Sequence, residues 1–144
     1  MTIELHVLKT GLGGEAVLAT PEDLERMASA MPGDSEDVRA VLAEQKALGL
    51  ANWEALSGQA EVRSFPFRPY TGRELILAEA SAITRSETGH ATTDAYLLER
   101  ALVCFSCAMS EEEFDGLSVS VQRALATRVR LHSEPRTETL RFLL

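Results

Sequence analysis

Cys104-Phe-Ser-Cys107 is the place in this chain where residue type and spacing come nearest to chemistry. A CxxC pair at the N-terminus of a helix does redox work, because the helix dipole and the free amides stabilise the thiolate. Here the leucine-bearing run before it predicts a helix that ends at about Cys107, so the pair sits at the far end, where that help is missing. The preceding strand of a thioredoxin-like site is also lacking. As a zinc half-site the pair needs two more ligands. His90 and His132 are the candidates, and their spacing follows no standard zinc pattern. We read Cys104 and Cys107 as small apolar core residues. The alternative is a small zinc- or thiol-dependent protein using Cys104, Cys107, His90 and His132. The sequence shows no glycine–serine–glycine elbow, phosphate loop or paired-histidine helix. Glu111 and Glu112 fit helix-start charge better than paired catalytic carboxylates. No catalytic residue and no cofactor is expected. Gly11, Gly13 and Ala16 match a dinucleotide pattern nominally, but Pro21 arrives too soon for the helix that pattern needs. A hairpin turn fits better.

The elements that would position such residues are organised around Phe65 to Ile83. Phe65 and Phe67 alternate with Pro66 and Arg68, Pro69 turns the chain, and Thr71-Gly-Arg-Glu74 is a capping box. Leu75, Ala78 (or Leu77), Ala80 and Ile83 then fall at helical spacing. Upstream, Thr2–Lys9 alternates as a strand with Ile3, Leu5 and Val7 inward. Thr20-Pro-Glu-Asp23 starts a helix whose stripe is Leu24, Met27, Ala28 and Met31, ended by Pro32-Gly33. Asp34 or Ser35 caps the next, with Val38, Val41, Leu42 and Leu48 as its stripe and Gly49 near its end. Asn52 could cap a short turn holding Trp53 and Leu56. Downstream, Ser86–Thr93 reads as a polar loop. Thr92 or Thr93 caps a helix burying Leu97, Leu98, Ala101, Leu102 and Phe105. Ser110–Glu113 is a second capping box, and Asp115-Gly116 closes its turn. Leu117, Val121, Leu125 and Val129 recur every four residues, with Ser118 as cap. The tail alternates at Leu140, Phe142 and Leu144, which fits a terminal strand or a helical turn. The expected fold is α+β and mostly helical: an N-terminal β-hairpin with short helices, then a strand leading into a three-to-four-helix bundle. Residues 1–60 read as an acidic module and 61–144 as the helical core domain, with one continuous domain as the alternative.

A length of 144 residues and 45% hydrophobic content allow a core without staples. Two cysteines and no secretory apolar stretch point to a reducing cytoplasm. No apolar run approaches the ~18–20 residues of a bilayer-spanning helix. A net charge of −8 argues against non-specific nucleic-acid binding. The charge is uneven: residues 15–61 carry ten acids against Arg26, Arg39 and Lys46, whereas 119–144 carry five arginines against Glu134 and Glu138. Such asymmetry either steers the chain onto a protein partner or is ordinary solvated surface.

The order aromatic strand, RPYTGRE, helix, then LSVSVQRALATRVR resembles the small accessory proteins of phage tails and contractile injection systems, tail assembly chaperones and baseplate components among them. The matching residues are Arg68, Thr71, Gly72, Arg73 and Glu74, then Leu117, Ser118, Ala124 and Leu125, within residues 65–131. The resemblance implies a non-catalytic assembly factor that binds another protein, a tail or particle component. The surface expected for this is Arg128, Arg130, Arg136 and Arg141 as a basic rim, with Trp53 as a possible anchor or else a core or lid residue.

Overall fold

A computed structural model describes residues 1–29 and 33–134. The chain divides into two compact units, Leu5–Arg63 and Met1–Glu4 with the chain from Ser64 onward. The architecture is α+β: an N-terminal hairpin sheet, then a strand followed by helices. Met31, Arg136, Leu140, Arg141, Phe142 and Leu144, on which parts of the sequence reading rest, lie outside the described residues.

Strand β1 (Thr2–Lys9) buries Ile3, Leu5 and Val7 and exposes Glu4, the alternation its sequence predicts. It pairs antiparallel with β2 (Glu15–Leu18), His6 opposite Leu18 and Lys9 opposite Glu15. The turn between them closes with Thr10 N–H donating to Gly14 O at 2.9 Å, and Gly13 takes φ +82°, a conformation that favours glycine. The glycine run is therefore a hairpin turn.

Helix α1 (Pro21–Met27) starts at a full capping box between Thr20 and Asp23. It ends a turn before Pro32, and only Leu24 on it is buried, so Met27 is exposed rather than part of a packed stripe. Helix α2 (Glu36–Leu56) is continuous through Gly49 and Asn52, which the sequence reading takes as an end and a new cap. Ser35 caps it, and alanines at 40, 43, 47, 51 and 55 supply helix propensity that outweighs a single glycine. Gly49 has a packing reason: a Cβ there would lie within 2.9 Å of Leu24 Cδ1 and closer still to Cδ2. Lys46 on α2 pairs with Glu25 on α1 at 2.5 Å. Trp53 is half-buried, its ring edge-to-face with His6 at 4.8 Å.

A 3-10 turn, Ser57–Gln59, leads to β3 (Glu61–Pro66), and the sheet order is β2-β1-β3. Arg63 on β3 reaches Glu15 on β2, the other outer strand, through Nη1–Oε1 at 3.2 Å and a second, shorter contact from Nη2 to Oε2.

In the unit that continues from Ser64, Phe67 N–H donates to Met1 O (3.0 Å) and Arg68 N–H to Ser106 O (2.9 Å). Helix α3 (Gly72–Ser81) opens at the predicted Thr71–Glu74 box. Ala78 and the capping Ala82 are buried, whereas Leu77 and Ile83 are exposed. Helix α3 stops at Ser81, short of the Ile83 that its sequence period includes. Ile83–Arg85 (β4) pairs antiparallel with Ala91–Thr93 (β5) around Gly89 at φ +83°, as β-branched residues flanking a glycine turn favour. The polar loop is thus a hairpin, and the cap of the next helix is Asp94, which accepts from Leu97 N–H at 3.1 Å.

Helix α4 (Ala95–Cys107) buries Leu102, Val103, Ser106 and Cys107; Leu97, Leu98, Ala101 and Phe105 are half-buried. Helix α5 (Glu111–Asp115) has half a capping box: Ser110 accepts from Glu113 N–H, but the Glu113 carboxylate takes the Ser110 hydroxyl. Helix α6 (Val119–Ser133) buries Val121, Leu125 and Val129 as predicted, together with Gln122 and Ala126. Ser118 precedes it without a side-chain cap. Around the fully buried Phe114, Gln122 donates to Phe114 O (2.8 Å) and to the Tyr96 hydroxyl (3.2 Å). Tyr96 in turn donates to Asp115, which also holds Arg100 at 3.0 Å. That polar cluster ties α4, α5 and α6 together while leaving Gln122, the buried amide, satisfied.

Candidate protein-binding face

The thiols sit where burial opposes chemistry. Cys107 is buried and Cys104 half-buried on α4. Burial, and then the neighbouring Cys104, pushes the Cys107 thiol up to about 11. Burial and then Glu111 raise Cys104 as well. A reactive thiolate needs the opposite shift. His90 is exposed in the β4–β5 turn, and His132 is exposed near the end of α6 with its ring 5.7 Å from Phe67. Among the described residues no three His, Cys, Asp or Glu side chains are grouped to hold a metal ion.

The RPYTGRE corner uses its polar residues on itself. Glu74 Oε1 accepts from Thr71 N–H (3.0 Å) and Arg68 Nη1 (2.8 Å), and Oε2 accepts from Arg68 Nη2 (2.7 Å). The Arg68 guanidinium, then the Thr71 amide, hold the Glu74 carboxyl down at about 2. Tyr70, in the same corner, is buried, and its amide donates to Ser133 Oγ at 3.3 Å. Burial raises its phenol to about 12, with Glu134 adding to the rise and Arg130 opposing it.

Of the residues expected to meet a partner, Trp53 packs on His6, Arg128 is half-buried, and Arg130 is exposed with Glu134 3.7 Å from its Nε. Arg136 and Arg141 lie outside the described residues. Trp53 belongs to the Leu5–Arg63 unit, and Arg128 and Arg130 to the other.

The face that does stand out is on α2. No side chain of this 21-residue helix is fully buried. Val38, Val41 and Leu48, expected to be a core stripe, are 45%, 53% and 65% exposed. With Gln45, Asn52 and Ala55, also exposed, they follow a 3-4-3-4-3 spacing, the seam of a helix that packs against another helix. The adjoining face of the helix is the one engaged within the unit: Leu42, Lys46, Gly49, Trp53 and Leu56 are half-buried. In the Leu5–Arg63 unit the fully buried apolar residues among those described are Leu5, Val7 and Leu24, a small core. The spacing alone could have revealed this seam. What the sequence could not supply was which of two apolar stripes faces inward.

Comparison with protein-family models, curated proteins and solved structures finds no match to this chain.

Proposed function

We propose that this chain is a non-catalytic protein-binding subunit, an assembly factor or structural accessory protein that engages its partner through α2. The observation that carries this reading is the exposed seam of α2. A row of exposed apolar side chains along one face of a long surface helix, here Val38, Val41 and Leu48, is the form that a helix-docking site takes. The setting we propose is a phage-tail-like particle, which the RPYTGRE and LSVSVQRAL stretches resemble. The corner and the α4–α6 cluster act in this reading as scaffold, since their polar groups are engaged with one another.

The test is affinity capture from the native host with the wild type, the double variant Val41→Asp/Leu48→Asp, and Arg130→Glu. Both α2 positions are exposed, so the double variant keeps the fold, checked by circular dichroism. A captured protein that binds recombinant wild type directly and is lost with the α2 variant supports the reading. Unchanged capture by the α2 variant refutes it. The Arg130→Glu arm reads whether the α6 arginines add a rim, which appears as slower association and altered salt dependence.

A further inference from the structure

We infer that the α2 seam takes a basic amphipathic helix, and not a second copy of this chain. The inference rests on the docking reading above and names the chemistry of its partner.

The open border of the seam is acidic. Asp37 and Glu44 lie beside it and Glu54 one position further out, all exposed. The other border, Leu42, Gly49 and Leu56, is half-buried within the chain's own unit. Exposed Arg39 lies toward that second border near the helix start, and Lys46 is held by Glu25. A partner helix therefore brings its apolar stripe against Val38, Val41 and Leu48 and sets one flank against Asp37 and Glu44. Lysine or arginine on that flank completes the pairing.

A second copy meets this geometry badly in either direction. Antiparallel helices pair like borders, which sets the mid-helix Glu44 carboxylates of the two copies against each other. Parallel helices pair the acidic border with the opposite one, which is already engaged. The seam thus selects for an incoming positive helix and against itself. Gln45 and Asn52 interrupt the apolar row at its third and fifth positions, a device that fixes register at some expense of affinity.

The probes are two synthetic amphipathic helices of about the length of α2. Both carry leucine seams; one has lysine borders and its twin has glutamate borders. Binding is read by fluorescence anisotropy of the labelled peptides with the full-length chain, and self-association by sedimentation. The lysine peptide is expected to bind about tenfold more tightly than its twin, the sum of a few exposed charge pairs. Added salt narrows that difference, and Asp37→Lys/Glu44→Lys reverses it. Val41→Asp/Leu48→Asp abolishes binding, and Leu48→Gln, a milder change, weakens it should the double variant not fold. Equal binding of the two peptides, or binding of neither, overturns the inference. So does a dimer of the chain alone that the seam variant makes monomeric. Native-partner capture that remains dependent on Val41 and Leu48 in any of these cases leaves the docking reading standing. Capture indifferent to them removes both.

Discussion

Glu74→Gln should remove a pH-dependent part of the stability of the Ser64–Glu134 region. The side chain of Glu74 is 16% exposed and accepts four hydrogen bonds, two of them from Arg68. Its carboxyl falls from 4.5 to about 2 on folding. At roughly 1.36 kcal/mol per pH unit that drop corresponds to about 3 kcal/mol for a dry pair. Arg68 is 55% exposed, however, and exposed ion pairs contribute at most about 1 kcal/mol. A carboxylate in the first turn of a helix adds about 0.3–1 kcal/mol. The expected loss near neutral pH is therefore about 1–1.5 kcal/mol. The sign follows from the direction of the shift. A carboxyl depressed by folding stabilises fully above about 4.5, and that contribution is lost as pH falls through about 2. Urea unfolding of wild type and variant, followed by far-UV circular dichroism across this range, isolates the group from the other carboxylates. The gap between the two proteins should be widest near neutrality and close as pH approaches 2. A gap that stays constant with pH, or is absent at neutrality, refutes the argument.

Gly49→Ala should destabilise the packing of α1 on α2 by about 1 kcal/mol, because overpacking against Leu24 exceeds the ~1 kcal/mol gain in helix propensity. Trp53 fluorescence during urea unfolding reports it, and a stabilised variant would show that Leu24 moves aside freely. Phe114→Ala should cost about 3–5 kcal/mol, since the ring is fully buried where α4, α5 and α6 meet; a midpoint near wild type contradicts that placement. Alkylation of the folded protein should be slow at neutral pH and slower at Cys107 than at Cys104, rising as pH approaches 11. Reaction at the rate of a free thiol would reopen the redox alternative.

Local signals were legible wherever a few neighbouring residues decide the outcome. Thr71–Glu74 forms the box its spelling implies, Thr20 caps the helix start expected of it, and the glycine run forms a hairpin turn. The four-residue recurrence from Val121 to Val129 is buried, because α6 packs that stripe against α4. Signals failed where two readings share one pattern. Ile83 continues a helical period and also begins a β-branched run, and the hydrogen bond from Asp94 N–H to Ala82 O decides for the hairpin. Gly49 is spelled like a helix end but lies where Leu24 needs the room. Val38, Val41 and Leu48 of α2 face out where their period suggests core, because periodicity says that a stripe exists without saying what covers it.

The β4–β5 hairpin bears on how this protein can vary. Its base is closed by the 2.8 Å hydrogen bond between Asp94 and Ala82, so the chain leaves α3 and returns to start α4 at nearly the same point. Every residue from Ile83 to Thr93 is exposed. Extra residues at the Ser86–His90 turn would lengthen the arm without displacing either helix, as exposed loop tips generally allow. That turn is the natural position for length differences between versions of this protein, and the natural place to graft a tag or a label.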